Sequence, residues 1–231
     1  MTPPRQNEAE VAVTSGAYYA KTVLGAGKSQ TSYFVMKRCF DFTASAVGLV
    51  LLAPLFLLLA IIIKLEDPRG PVFFSQIRIG KNEKPFRMYK FRSMVSNAEE
   101  LLGQLLEKNE AEGAMFKMKD DPRITRVGKL IRKTSIDELP QLLNVIKGEM
   151  SLVGPRPPLP REVDQYTEYD KLRLLVTPGC TGLWQVSGRS ELTFREMVEL
   201  DLEYIQRKSF WMDVKILLRT VRVLLGSKDA F

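Results

Sequence analysis

The chain has 231 residues, with 34 Lys and Arg against 27 Asp and Glu, two Cys and no His. Without histidine there is no Ser-His-Asp triad, no imidazole general base and no His-ligated metal, and two cysteines cannot form a four-thiolate zinc site. The net charge of +7 favours an anionic partner such as a lipid headgroup, a nucleic acid or a phosphorylated small molecule.

An uncharged apolar segment runs from Phe42 to Ile63. At 1.5 Å per residue a helix of this length reaches about 33 Å, enough to cross the hydrocarbon layer. Pro54 lies in its middle, and basic residues flank both ends: Lys37 and Arg38 before, Lys64 and Arg69 after. These features favour a re-entrant helix that is broken at the proline and returns to the same membrane face. A proline-kinked helix that spans the bilayer is an equally good interpretation.

Two strand-like segments follow, at residues 72–80 and 85–94, and the turn between them predicts a β-hairpin. Alternation along the second strand places four side chains on one face: Phe86, Met88, Lys90 and Arg92. The two cations could bind a phosphate together. The alternative is a solvated sheet edge that carries two charges.

Two adjacent carboxylates, Asp137 and Glu138, stand close to a predicted helix start. The segment from Ser135 to Glu138 also matches a capping box, which is a purely structural explanation. Pro140 favours a helix with Asp137 as its N-cap, because the proline then falls in the first turn and loses no hydrogen bond. The Asp137 carboxylate would then lie among N–H groups that can also bind phosphate.

Arg156 lies between two prolines, Pro155 and Pro157. The restricted backbone preorganises its guanidinium group, which suits bidentate recognition of a phosphate. The alternative is a polyproline turn with an incidental arginine.

Farther along the chain, residues 210–225 predict an amphipathic helix that lies at the bilayer surface, with Trp211 near the headgroups. The alternative for this segment is a core helix.

These motifs occur together in one order: the apolar helix with a central proline, KFRSM (90–94), DDPRITRVGKLIRKTSIDELPQLLNVIKGEMSLVGPRP (120–157) and TPGCTGLWQVSGR (177–189). Together they resemble the bacterial sugar transferases, and among these the small monotopic phosphoglycosyl transferases, over roughly residues 33–225. The resemblance implies transfer of a sugar-1-phosphate from a nucleotide sugar, expected to be a UDP-sugar, to polyprenyl (undecaprenyl) phosphate. This would release nucleoside monophosphate in the first membrane step of glycan or exopolysaccharide assembly.

The resemblance also implies roles for particular residues. Asp137 matches the nucleophile that forms a covalent phosphosugar intermediate, and Glu138 matches the residue that helps to hold Mg²⁺. Lys90 matches the lysine of the family's KFRS motif, and Arg156 matches a phosphate ligand. Asp201, within VELDLEY, is the best match to an acidic position in the C-terminal region.

The reaction that the resemblance implies brings two phosphate esters together beside an anionic nucleophile, so its site needs positive charge. Mg²⁺ is the expected cofactor, and the available basic side chains are Lys90, Arg92, Arg123, Arg132 and Arg156. No strong base is needed, because a lipid phosphate is already ionised. Two other functions stay open: a membrane-bound glycosyltransferase that releases nucleoside diphosphate, and a non-enzymatic basic protein that docks on anionic lipid or nucleic acid.

We therefore expect a helix-dominated mixed α/β protein that is monotopic. Residues 1–32 are expected to be a flexible tail, residues 33–66 the re-entrant membrane helix, and residues 67–231 a cytoplasmic catalytic domain with a small β-hairpin and interfacial amphipathic helices. The expected location is the cytoplasmic face of the bacterial inner (plasma) membrane. The expected partners are a nucleotide sugar and polyprenyl phosphate but no nucleic acid, and homo-oligomerisation is left open.

Overall fold

A computed structural model describes residues 31–105, 118, 121–188 and 191–226. The α-helices in these ranges are α1 (Thr31–Glu66), α2 (Ala98–Leu105), α3 (Arg126–Lys133), α4 (Gln141–Lys147), α5 (Pro160–Val163), α6 (Glu168–Lys171), α7 (Phe194–Arg207) and α8 (Phe210–Gly226). The strands are β1 (Phe73–Ile79), β2 (Pro85–Phe91), β3 (Ser151–Val153) and β4 (Gly179–Thr181). The helix-dominated mixed architecture is confirmed. Residues 1–30 of the expected tail lie outside the described ranges.

The apolar segment lies in α1, a single helix of 36 residues that continues through Pro54. A helix of this length reaches about 54 Å. By length and composition it could cross a membrane, and little of its most apolar stretch is buried against the rest of the protein. Leu51 and Leu57, for example, are 73% and 65% exposed. So large an apolar surface needs a nonaqueous environment.

The N-terminal part of α1 is bound to the globular part of the chain by polar contacts. The Lys37 ammonium group lies 2.8 Å from Asp213 of α8. The buried Asp41 carboxylate accepts a hydrogen bond of 2.7 Å from the Ser151 hydroxyl on β3. The Arg38 guanidinium donates to the carbonyl groups at the end of α4. This part of the helix is therefore fixed against α4, β3 and α8.

The C-terminal end of α1 contacts the same globular part. Leu59 and Ile63 are buried in a cluster with Phe91 of β2 and Ile131 of α3. The Glu66 carboxylate accepts hydrogen bonds from the first backbone N–H groups of α3, at 2.8 Å from Arg126 N. Both ends of the helix are thus anchored on one folded unit.

The predicted hairpin is confirmed, with β1 and β2 antiparallel in a register that pairs Phe73 with Phe91 and Ile79 with Pro85. Phe86 and Met88 are buried together with Val145 of α4 and Met150. This packing supports the alternation expected for Phe86, Met88 and Lys90. Arg92, expected on the same face, lies past the end of β2 and binds Asp67.

A second, two-stranded sheet forms the other side of the fold. β3 and β4 are parallel, and Ser151 pairs with Gly179. The backbones approach so closely that a Cβ atom at Gly179 would lie 2.1 Å from the amide nitrogen of Gly154. Only glycine fits there. The main core, formed by β3, α7 and α8, packs behind this sheet.

Helix α8 has two apolar faces. Ile216 is buried in the main core, whereas Trp211, Leu218 and Val221 are 78%, 67% and 54% exposed. The exposed row is what a helix at a bilayer surface requires. Membrane contact by this row stays a prediction.

Asn144 connects α4 to the hairpin. Its amide nitrogen donates to the carbonyl group of Arg87 at 2.6 Å and to Glu149, and its amide oxygen accepts from the backbone N–H of Tyr89 at 3.1 Å. The side chain is fully buried. It therefore sets the position of β2, and with it the position of Lys90, relative to the turn that holds the two carboxylates.

We predict that Asn144→Leu lowers the free energy of unfolding by about 3 kcal/mol, because buried backbone groups of β2 lose their partners. The measurement is the thermal unfolding midpoint in detergent. The control is Lys147→Met on the exposed side of the same helix, which should change the midpoint little. Equal midpoints for the two variants would contradict the role of Asn144.

Candidate active site

Asp137 and Glu138 lie in a short 3-10 helix, Ile136–Glu138, that precedes α4. The expectation that a helix begins with Asp137 as its N-cap is wrong, since α4 begins at Gln141 with Pro140 before it. The capping-box alternative is also wrong. Ser135 has a left-handed φ of 54° and its side chain caps no N–H group. The ion pair with Lys90 of the hairpin and the charge of Arg156 outweigh the local capping preference of the two acids.

The Asp137 side chain is buried, with the residue 6% exposed. Burial raises the pKa of this carboxyl group to about 6, because the charged form loses hydration. The nearby Lys90 and Arg132 act in the opposite direction, and the charge of Glu138 adds to the rise. Asp137 therefore becomes an anion only close to neutral pH.

Glu138 behaves differently although it is the next residue. Its carboxylate lies 2.5 Å from the Lys90 ammonium group. Burial acts against the charged form, but Lys90, Arg156 and Arg78 outweigh it and lower the pKa of Glu138 to about 2. The dyad thus combines a permanently charged glutamate with an aspartate that titrates near neutrality.

A pocket opens on the Glu138 side of the dyad. Its lining includes Arg78, Lys90, Glu138, Gln141, Arg156 and Cys180. Three of these side chains are cationic and one is anionic, so the pocket suits a ligand with several negatively charged oxygens. Asp137 lies next to this pocket in the chain and is not among the residues that line it.

Arg78 on β1 is a site residue that the sequence analysis missed. Its guanidinium group donates to the carbonyl oxygen of Pro157 at 3.0 Å and to the Gln76 side chain at 2.8 Å. Burial, followed by repulsion from Arg156, lowers the pKa of Arg78 to about 10. Applying the alternation rule to β1 as well as β2 would have singled it out, since Gln76 and Arg78 share a face.

The structure brings together five of the predicted site residues. Three of them line the pocket: Glu138, Lys90 and Arg156. Asp137 is the neighbour of Glu138 in the chain, and Arg132 is near enough to influence the pKa of Asp137. Arg132 itself is exposed on α3.

The remaining three residues have partners elsewhere in the fold. Arg92 is paired with Asp67 at 2.9 Å, just after α1, and Arg123 is paired with Asp121 at 2.6 Å. Asp201 is wholly buried on α7 and forms an ion pair with Arg173. None of the three is among the residues that line the pocket.

The dyad offers carboxylate oxygens for a hard cation. One oxygen of Glu138 is bound to Lys90, and within the described part of the chain the other accepts no hydrogen bond. Across the described ranges no group of three or more His, Cys, Asp or Glu side chains could enclose a metal. Mg²⁺ is commonly held by one or two carboxylates together with substrate phosphates, and the dyad fits that type of site.

Comparison with known proteins gives a consistent result. The profile of the family described as "Bacterial sugar transferase" matches residues 32–227. The chain is 50% identical over 195 residues to the protein named "Galactosyl transferase CpsE" of Streptococcus agalactiae, covering 84% of this chain and 43% of that protein. It is 44% identical over 200 residues to the "Undecaprenyl-phosphate galactose phosphotransferase" of Salmonella typhimurium, covering 85% and 42%.

A third relative is similar in size to this chain. The "Exopolysaccharide production protein ExoY" of Rhizobium meliloti is 41% identical over 199 residues, covering 84% of this chain and 88% of that protein. The chain spans less than half the length of the first two relatives. The matched region includes the dyad turn, the hairpin and Arg156.

We predict that Asp137→Asn stabilises the protein at neutral pH in EDTA by on the order of 2 kcal/mol. Because the pKa of Asp137 is raised from 3.8 to about 6 in the folded protein, ionisation of Asp137 lowers the free energy of unfolding. This effect reaches its full size above pH 6. The effect shrinks as the pH falls towards 3.8 and vanishes below it, where Asp137 is protonated in both states. Thermal midpoints across this pH range test the prediction. The exposed Asp164→Asn variant is the control, and a stability gain independent of pH would contradict the account.

Proposed function

The chain belongs to the bacterial sugar transferase family, and on that premise we propose that it is a phosphoglycosyl transferase. It moves a sugar-1-phosphate from a nucleotide sugar, expected to be a UDP-sugar, onto polyprenyl (undecaprenyl) phosphate. This step begins glycan or exopolysaccharide assembly at the membrane. The observation that carries the proposal is the buried Asp137 carboxylate, next in the chain to Glu138, which lines a cationic pocket.

The proposed chemistry has two balanced steps. In the first, a carboxylate oxygen of Asp137 attacks the phosphorus atom that bears the sugar, and the bond to the nucleoside monophosphate breaks with its electron pair. In the second, an oxygen of the lipid phosphate attacks the same phosphorus atom, and the bond to Asp137 breaks to regenerate the carboxylate. Carboxylates act as phosphoryl-accepting nucleophiles in other enzymes.

The charges around the pocket support this assignment. The leaving nucleotide and the incoming lipid phosphate are both anions, and Lys90, Arg78 and Arg156 line the space beside the dyad. Positive groups fixed in a partly dehydrated pocket stabilise developing negative charge without reorganising. Burial of Asp137 removes water from the nucleophile, which also protects an acyl phosphate from hydrolysis.

Mg²⁺ is the proposed cofactor, with Glu138 as a protein ligand and Asp137 as its neighbour. When bound, a divalent cation would neutralise phosphate oxygens and help to orient them. The protein groups do the remaining work: Lys90 holds the Glu138 carboxylate in place, and Arg78 fixes the backbone beside Arg156 through the Pro157 carbonyl group.

The position of the dyad suits a lipid substrate. Ile136, the residue before Asp137, packs against the cluster that contains Leu59 and Ile63 of α1. The nucleophile therefore lies one residue away from side chains of the apolar helix. A polyprenyl phosphate whose chain lies in the bilayer along α1 would have its headgroup near the pocket.

The monotopic arrangement is likewise proposed. A spanning α1 would separate its two ends by the width of the bilayer, yet Lys37 and Asp41 at one end and Glu66 at the other bind the same globular unit. This supports a helix that stays on one membrane face, and we propose that this face is the cytoplasmic one. The basic flanks agree with this arrangement, and a re-entrant path would require α1, which is one continuous helix here, to bend at Pro54.

We predict that wild-type protein incubated with a UDP-sugar alone releases UMP and acquires a hydroxylamine-labile sugar phosphate on Asp137. Asp137→Asn should lower turnover by about 10³-fold or more, because the nucleophile is lost. Peptide mass spectrometry and nucleotide analysis are the measurements.

Asp164→Asn, an exposed aspartate, is the matched control and should retain full activity. Release of UDP in place of UMP would favour the glycosyltransferase alternative. Full turnover by Asp137→Asn would remove the proposed nucleophile.

The topology is tested by labelling two single-cysteine proteins with a membrane-impermeant maleimide. One retains Cys39 and carries Cys180→Ser; the other carries Lys64→Cys with both native cysteines changed to Ser. Cys39 and Lys64 are exposed near opposite ends of α1. We predict that both react in inside-out vesicles and neither reacts in right-side-out vesicles. Reaction from opposite sides would establish a spanning helix.

A further inference from the structure

Two buried amide side chains on α4 differ in their hydrogen bonding. Asn144 is fully buried and binds three groups of the protein: the Arg87 carbonyl, the Tyr89 N–H and the Glu149 carboxylate. Gln141, one turn earlier, is 2% exposed. Within the described part of the chain the Gln141 side chain makes no hydrogen bond.

At 2% exposure an amide keeps only a small contact with water, and without a protein partner that environment is unfavourable. Such groups in native proteins need an explanation. Gln141 lines the same pocket as Glu138, Lys90 and Arg156. A ligand in that pocket could supply the missing partner, and the residue would then be retained for binding at the expense of stability.

The chemistry of the amide limits what that ligand group is. The pocket already holds cations for phosphate oxygens in Arg78, Lys90 and Arg156. Gln141 is uncharged and offers both donor hydrogens and an acceptor oxygen. A hydroxyl group, which also both donates and accepts, is its natural complement.

The reaction geometry further limits which hydroxyl group Gln141 could bind. The transferred sugar is attached to the phosphorus atom that Asp137 attacks, whereas the ribose of the nucleotide is one phosphate farther away. Gln141 is the first residue of α4 and follows Glu138 by three residues. Glu138 and Gln141 line the same pocket. The nearer hydroxyl-bearing group is therefore the sugar.

We propose that the Gln141 side chain hydrogen-bonds a hydroxyl group of the transferred sugar and so contributes to donor selection. This inference rests on the proposed function. A site that provides a polar partner for a substrate hydroxyl discriminates against an analogue that lacks it, since the protein group is then left unpaired.

The first experiment compares Gln141→Met with Asn144→Leu, each of which replaces a buried amide by an apolar side chain of similar size. Without ligand, Gln141→Met should keep or raise the thermal midpoint, because it removes an unpartnered amide. Asn144→Leu should lower the midpoint. A fall in Gln141→Met as large as that in Asn144→Leu would mean that Gln141 is structural and would overturn the proposal.

The second experiment measures binding in the Asp137→Asn background, so that the donor is not consumed. Its probes are UDP-galactose, UDP-glucose, a series of UDP-hexoses that each lack one hydroxyl group, and UMP. Gln141→Met should weaken binding of the preferred UDP-hexose about 10- to 100-fold and leave UMP binding unchanged. The UDP-hexose that lacks the hydroxyl group bound by Gln141 should bind equally well to the protein with Gln141 and to the Gln141→Met variant.

Equal losses for UMP and all UDP-hexoses would place Gln141 against the nucleotide and overturn the sugar contact, as would unchanged binding of every probe. These readouts do not depend on transfer. Failure of the proposed function would appear separately, as wild-type protein that binds donor but releases no UMP in the presence of polyprenyl phosphate.

Discussion

The ion pair between Lys90 and Glu138, at 2.5 Å, is the contact on which the site depends. It joins the hairpin to the dyad turn, two parts of the chain that are 48 residues apart. The local sequence alone would use Glu138 to cap a helix. The cations instead hold it as an anion in the pocket wall, and its charge helps to raise the pKa of the buried Asp137 beside it.

The same ion pair makes the active site depend on how β2 packs against α4. Lys90 reaches Glu138 only if β2 keeps its distance from α4, and the Asn144 side chain fixes that distance through backbone groups of Arg87 and Tyr89. Arg78 does the equivalent for Arg156 by binding the Pro157 carbonyl group. Lys90 and Arg156 are thus each positioned by a buried polar group that binds backbone, which is a more rigid partner than another side chain.

The sequence allowed the helix-dominated fold, the apolar helix, the hairpin and the approximate location of the dyad to be predicted, because each depends on local periodicity or on a motif. It did not identify the partners of Arg92, Arg123 and Asp201, which bind Asp67, Asp121 and Arg173. Positive charge in a sequence marks candidates for an anion site. Only the fold decides which of them are already neutralised by a carboxylate.

The prediction that a helix begins at Asp137 was wrong for a related reason. Ser135, Asp137 and Pro140 carry correct local signals for a helix N-terminus, but their contributions are about 1 kcal/mol each. Contacts across the fold are larger, because they involve charges removed from water. The chain therefore adopts a left-handed residue and a 3-10 turn at Ser135–Glu138.

Two buried amide side chains of α4 have different roles, one in stability and one in the proposed activity. Asn144 makes three side-chain hydrogen bonds within the protein, whereas Gln141, one turn away and similarly buried, makes none within the described part of the chain. Asp137 is likewise kept where ionisation is unfavourable. Each of these groups is unfavourable for the fold alone. A protein selected for folding alone would replace them with apolar residues. Gln141 in the pocket wall and Asp137, the neighbour in the chain of a pocket residue, therefore agree with a site where selection for chemistry has outweighed selection for stability.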